Sequence, residues 1–261
     1  TITFPASTFP TTGITLSFTK SDGTIGWDKA DQLLSMRYLK GTTLVQSFAY
    51  TYDDSGNRIT MTEQIGTTTT INWSYVYDWL DRLVTATRNA TATNYTYDGN
   101  NNRTVTGTTT AFDAGDQLTS LTSGATTTTF TYDRDGNLVT QTSGANTTTY
   151  KWNDFNNLYD IVVNGTSTMK AYYDADNIRR SRADGSKYFS SGSLPLSETR
   201  LTGPVSFIQG AGLLGLKQGG NFYYMLTDGL GSVRGVFDSG GTIVATNETD
   251  AYGVNLSSTG S

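Results

Sequence analysis

The chain has 261 residues, with 28 glycines, no cysteine, no histidine, 16% charged residues and a formal net charge of −5. Lacking cysteine and histidine, it can form no disulfide, thiolate nucleophile, Ser-His-Asp triad, or cysteine- or histidine-ligated metal site. Its acidic balance argues against a nucleic-acid surface, and no apolar run reaches the ~18 residues that a membrane-spanning helix requires.

Residues 1–26 read as an N-terminal segment punctuated by Phe4, Pro5, Phe9 and Pro10. No basic stretch followed by an apolar core marks a signal peptide. A start at Thr1-Ile2-Thr3 without Met points to processing or to excision from a longer polypeptide. A cysteine-free, Thr-rich, acidic chain of strands fits a secreted or surface location.

From Trp27 onward one short pattern recurs: an aromatic, then usually Asp or Asn, then a turn and a long or branched side chain. The copies begin at Trp27-Asp28, Tyr52-Asp53, Tyr77-Asp78, Tyr97-Asp98, Phe112-Asp113, Tyr132-Asp133, Trp152-Asn153 and Tyr173-Asp174. Such a period predicts a stack of like units that supply each other's core, over residues 27–180. Some copies carry Asp or Asn at the fourth position after the aromatic (Asp31, Asp81, Asp116, Asn156). Others carry a Gly-Asn turn (Gly56-Asn57, Gly136-Asn137). Tyr97 begins a looser copy, Asn101-Asn102-Arg103, and the Tyr173 copy reads one residue shorter, with Asp176-Asn177-Ile178. Gly, Asn and Asp tolerate positive φ, so each copy predicts a hairpin turn, pinned by hydrogen bonds from the backbone to its leading Asp.

Before many of these turns the aromatics fall two residues apart: Tyr50/Tyr52, Tyr75/Tyr77, Tyr95/Tyr97, Phe130/Tyr132 and Tyr150/Trp152. Residues two apart on a strand share a face, which predicts an aromatic ladder with rings such as Tyr132 enclosed. Thr67–Thr70, Thr126–Thr129 and Thr147–Thr149 supply β-branched residues to the return strands. Asp28 to Lys40 taken alone could form a short helix, with Leu33, Met36 and Tyr38 near helical spacing, but its place in the repeat predicts turn and strand.

Three letter patterns carry less. Asp133-Arg134-Asp135-Gly136-Asn137 is similar to the start of a calcium loop, but its twelfth position is Gly144 and not Glu. Gly210-Ala211-Gly212-Leu213-Leu214-Gly215 spells a dinucleotide fingerprint, yet Lys217-Gln218-Gly219-Gly220 forbids the helix that must follow. Asn89, Asn94, Asn146 and Asn164 head N-x-S/T sequons of the kind a Thr-rich chain contains by chance. No cofactor and no metal site is implied.

Residues 181–253 hold a different signature, Tyr223-Tyr224-Met225-Leu226-Thr227-Asp228-Gly229-Leu230-Gly231-Ser232-Val233-Arg234. It continues through Asp238-Ser239-Gly240-Gly241 to Asp250-Ala251-Tyr252-Gly253, and 254–261 follow as a tail. The repeats resemble the RHS/YD-repeat family, and this later stretch is similar to the RHS-repeat-associated core. The resemblance covers about residues 27–253. It implies an all-β fold, a repetitive antiparallel hairpin sheet that spirals into a shell or solenoid and is closed by the core-like unit. It also implies kinship with bacterial polymorphic toxins and toxin-complex C components, whose shells enclose a C-terminal effector and whose core can cut the chain with two Asp and an Arg.

Asp228 and Asp250 stand at the two acidic positions. The Arg expected before Tyr223 is missing, with only Lys217 in that stretch, Ala251 replaces a proline, and Val254 replaces a leucine. The chain therefore reads as a non-catalytic shell or carrier segment, partnered by its own further domains or cargo. The alternatives are an extracellular fibre or adhesin subunit, in which copies join through sheet edges, and a one-time aspartyl autoprotease using Asp228 and Asp250. The aromatic and acidic residues heading each repeat are structural in all three readings.

Overall fold

The computed structural model describes residues 2–3, 14–191, 194–200, 202–209 and 213–260, so Phe4, Pro5, Phe9, Pro10 and the glycine run at 210–212 lie outside it. The described residues form 25 strands and no helix, and the pairings between them are antiparallel hairpin pairings of consecutive strands. None of those pairings closes a sheet on itself. The stretch from Asp28 to Lys40 is a turn followed by the strand Ser35–Lys40, so the repeat pattern overrode local helical spacing.

The chain divides into two compact units, Thr1–Asn94 with Ile208–Ser261, and Tyr95–Phe207. In the first, one meander runs from Ile14–Ser17 to the strand beginning at Thr91, and a second from Leu213–Gln218 to Asn255–Thr259. In the other unit a meander runs from Thr108–Phe112 to Gly203–Gln209, while Arg103–Val105 pairs with the strand that begins at Thr91.

Each repeat turn is built the same way. The N–H two residues and the N–H four residues beyond the leading Asp or Asn both donate to its Oδ1. Examples are Ser55 and Asn57 on Asp53 (3.0 and 2.8 Å), Asp135 and Asn137 on Asp133 (3.0 and 2.9 Å), and Phe155 and Asn157 on Asn153 (3.0 and 3.0 Å). One oxygen thus satisfies two donors that the tight turn leaves unpaired. Side-chain hydrogen bonds from Arg82, Asn102 and Asn137, together with backbone ones, hold Asp78, Asp98 and Asp133 below the ordinary aspartate range.

The residue three beyond the leading Asp is left-handed in both turn forms, for example Asp31 (φ 59°), Asp116 (φ 59°), Gly56 (φ 88°) and Gly136 (φ 84°). Asn177 (φ 60°) occupies that place in the Tyr173 copy, and Asp174 Oδ1 accepts from Asp176 and Ile178. That turn therefore has the full length. It seemed short because Ile178 takes the place held by Asn, Gln or Arg in other copies.

The glycine forms sit close to a glutamine of the turn before. A Cβ on Gly56 would lie 3.3 Å from Gln32 Nε2 of the preceding turn, and one on Gly136 3.4 Å from Gln117 Nε2. In return, Asn57 and Asn137 reach forward to Asp81 Oδ1 (2.7 Å) and Asn156 Oδ1 (3.0 Å). Asp53→Ala is expected to cost about 1–2 kcal/mol, the scale of losing a capping oxygen. Asp53→Asn should cost much less, because Asn153 already does the same work; chemical denaturation of the two variants compares them directly.

The leading aromatic also stitches turn to turn. Tyr52 Oη donates to Leu33 O (2.9 Å), Tyr77 to Arg58 O (3.0 Å), Tyr132 to Leu118 O (3.0 Å) and Tyr173 to Leu158 O (2.7 Å), while Trp152 Nε1 donates to Leu138 O (2.9 Å). The acceptor is the first strand residue after the preceding turn at Arg58, Leu118, Leu138 and Leu158, and the bridge residue Leu33 in the first case. A ring with a polar tip can make this bond, which suits Tyr and Trp to the position, although Phe112 heads a turn of the same form without it.

Among the described residues the extended buried core lies in the first unit. Phe48, Tyr50, Met61, Ile71, Trp73 and Tyr75 are buried, with exposed residues alternating between them as a half-buried sheet requires. In the second unit Phe130, Tyr132, Tyr150 and Trp152 are half-exposed, and the buried apolar residues described there are Tyr95, Ala171 and Val205. The enclosed Tyr132 expected from the ladder is therefore not found, because no second layer covers that face within the unit.

Candidate functional site

The C-terminal strands of the first unit lie across the inward face of its N-terminal meander, and the contact is polar as well as apolar. Tyr38 Oη donates to Thr227 O at 3.0 Å, and Gly229 N–H donates to Tyr50 Oη at 2.6 Å. Arg234 Nη2 meets Glu63 Oε2 at 2.5 Å, and Gln46 Nε2 donates to Glu63 Oε1 at 2.6 Å. Arg88 pairs with Glu248 through two nitrogens, the Nη2–Oε2 bond measuring 2.6 Å.

Glu63 and Arg234 are 2% and 3% exposed, so this pair has left water almost entirely. Gln46 Oε1 and Arg234 Nε are buried without a partner among the described residues. Close approach also dictates composition here, since a Cβ on Gly215 would come within 2.2 Å of Tyr223 O. That glycine of the dinucleotide-like run is a strand-packing residue.

Asp228 is buried at 6% exposure, and its Oδ1 accepts from Leu230 (2.9 Å) and Ser232 (3.0 Å). Asp250 is partly exposed, and its Oδ1 accepts from Tyr252 (2.9 Å) and Val254 (2.8 Å). Each carboxylate serves its own turn, and no hydrogen bond joins the two among the described residues. A proton-sharing acid pair needs carboxylates in mutual contact.

Asp238 makes the same turn, accepting from Gly240 and Thr242. Asp228, Asp238 and Asp250 thus head three further copies of the repeat turn, with left-handed Gly231, Gly241 and Gly253 three residues on. The signal was an Asp followed by Gly three positions later. At Asp228 and Asp250 the leading aromatic is replaced by Thr227 and Thr249, whereas Phe237-Asp238 keeps the aromatic-Asp pair.

Arg234, which stands in the C-terminal signature, was not assigned a role from sequence, and no local pattern reveals Glu63 as its partner 171 positions away. Lys217 sits with its ammonium 5.1 Å from the centre of the Phe222 ring.

Burial pushes the Glu63 carboxyl above its usual 4.5, against the lowering pull of Arg234 and Gln46. The folded chain then keeps a proton that the unfolded chain has released, and the unfolding free energy falls as pH rises through the window above 4.5. Urea midpoints measured across that window should show this slope, and Glu63→Gln should remove it. A wild-type slope equal to that of Glu63→Gln would contradict it.

The sequence matches the Teneurin YD-shell family over residues 2–190. The chain belongs to the teneurin YD-shell family. The RHS/YD-repeat resemblance and the all-β antiparallel fold both hold.

Among solved structures, TcdB2-TccC3-TEV is 16% identical with a TM-score of 0.50, over 88% of this chain and 15% of that one. TcdB2-TccC3 without its hypervariable C-terminal region is 16% identical with a TM-score of 0.46, over 95% of this chain and 18% of that one. The Photorhabdus luminescens Tc holotoxin pore is 15% identical with a TM-score of 0.42, over 91% and 17% respectively. The first of these shares the fold, and this chain spans about 15% of its length. No curated protein matches the chain. Among the described residues no helix is long and apolar enough to cross a membrane.

Proposed function

We propose that this YD-shell chain is a length of non-catalytic shell wall, whose full protein encloses or presents a C-terminal effector. The observation that carries the reading is the stitched repeat: at Tyr52, Tyr77, Tyr132, Trp152 and Tyr173 the leading aromatic ties its turn to the one before, so the sheet extends by addition of hairpins. In this reading residues 27–180 form the repeat wall, 181–253 a core-like unit and 254–261 a tail. The chain works outside the cell or at its surface, as part of a larger protein. Asp228 and Asp250 are turn carboxylates in it, because each spends an oxygen on its own backbone.

Electron microscopy of the full-length gene product tests the wall reading. Hollow particles with a protease-protected C-terminal segment are expected; filaments of repeating chains would overturn it in favour of a fibre subunit. Mass spectrometry of the chain carrying a C-terminal extension tests the turn reading. The chain should stay intact, and a product ending at Gly253 or Val254 that is lost in Asp250→Asn would make it an autoprotease.

A further inference from the structure

In the first unit a pocket of about 300 Å³ opens beside the Tyr52–Arg58 turn, walled chiefly by Arg58, Tyr50, Tyr52, Tyr77, Asn57 and Leu230. Most donors on this wall are already committed. Tyr52 and Tyr77 donate their hydroxyls to Leu33 O and Arg58 O. The Asn57 amide donates to Asp53 Oδ2 (3.2 Å) and Asp81 Oδ1 (2.7 Å).

Two donors remain. The Tyr50 oxygen accepts from Gly229 N–H, which leaves its own O–H without an acceptor among the described residues, although Tyr50 is only 4% exposed. A buried hydroxyl proton left unbonded costs free energy that an incoming acceptor recovers. The Arg58 guanidinium carbon lies 5.3 Å from the centroids of both the Tyr50 and Tyr75 rings, and no described carboxylate forms an ion pair with it. The nearby carboxylates are engaged, Asp53 and Asp228 by N–H groups of their own turns and Asp81 by Asn57.

A guanidinium resting against aromatic rings spends none of its N–H groups on them, and its planar N–H edge matches a carboxylate with two parallel hydrogen bonds. We propose that this pocket binds a carboxylate, held on the Arg58 edge and accepting a further hydrogen bond from the Tyr50 hydroxyl. The volume is at the small end of ligand sites, so it suits a compact organic acid or one acidic side chain of a peptide. This inference does not rest on the shell reading and stands or falls without it.

The test uses the whole chain, isotope-labelled, with the arginine Nε–H signals followed by NMR. Sodium benzoate represents the free acid, acetyl-Gly-Glu-Gly-amide the peptide side chain, and benzamide a neutral isostere of benzoate. A saturable shift of the Arg58 signal with either acid, and none with benzamide, is the expected result; which acid binds more tightly identifies the source. Arg58→Gln should weaken that binding at least about tenfold, as loss of a charge-assisted bidentate contact does, read in wild type and variant alike from the Gly229 backbone amide signal, which lies at the pocket and survives the substitution. Tyr50→Phe should weaken it by about three- to tenfold while leaving the Arg58 signal in place, as loss of one hydrogen bond does. No saturable shift with either acid on the folded wild-type chain, or an equal shift with benzamide, would overturn the proposal, and neither outcome depends on a variant folding.

Discussion

Replacing Arg234 by alanine is expected to cost the first unit about 3–5 kcal/mol, because it strands the Glu63 carboxylate in a site with almost no water. The two groups are 3% and 2% exposed and meet at 2.5 Å, so neither can turn to solvent when its partner is removed. The pair itself need not be a net stabiliser. Desolvating two charges offsets most of their attraction, and Gln46 Oε1 and Arg234 Nε stay unpartnered beside it. The double variant Glu63→Met with Arg234→Met should therefore recover most of the loss of the single variant. Urea unfolding followed by tryptophan fluorescence measures all three, with Trp73 reporting on this unit. A loss below ~1 kcal/mol for Arg234→Ala would mean that water reaches the pair and that the C-terminal strands do not seal it.

Tyr75→Ala should also cost about 3–5 kcal/mol, since it empties a large enclosed volume. Tyr75 is 7% exposed, stacks on Trp73 at 6.1 Å between centroids, and its ring centroid lies 5.3 Å from the Arg58 guanidinium carbon. Burial pushes its phenol up to about 12, so the ring stays neutral across any ordinary buffer and the comparison is free of titration. Tyr132→Ala supplies the contrast. That ring is half-exposed and its hydroxyl makes one hydrogen bond, to Leu118 O at 3.0 Å, so the expected loss is nearer 1–2 kcal/mol. Equal losses at the two positions, measured by chemical denaturation, would show that the second unit has an enclosing layer after all.

The repeat was legible in the sequence because its cause is local. A leading Asp or Asn whose oxygen takes two N–H groups within four residues, and a left-handed residue at the turn, are demanded by the backbone of each hairpin on its own. Aromatics two apart on a strand likewise fix which face they share before any partner is known. Hence the eight turns from Trp27 to Tyr173 and the all-β class could be read directly, and even the helix-like run Asp28 to Lys40 resolved to a strand. The three turns at Asp228, Asp238 and Asp250 carry the same local chemistry but belong to a stretch read as a separate signature.

What the sequence could not supply is everything set by contacts between distant strands. Glu63 and Arg234 are 171 residues apart, and nothing in either neighbourhood distinguishes a buried carboxylate from an exposed one. Whether an aromatic ladder is enclosed, as at Tyr75, or half-open, as at Tyr132, depends on whether a second layer lies over it. The uncommitted donors of Arg58 and Tyr50 were equally invisible, because a donor counts as free only after every possible acceptor has been placed. Short-range backbone demands wrote the repeat into the sequence; burial is a property of the packed whole, and only the tertiary structure assigned it.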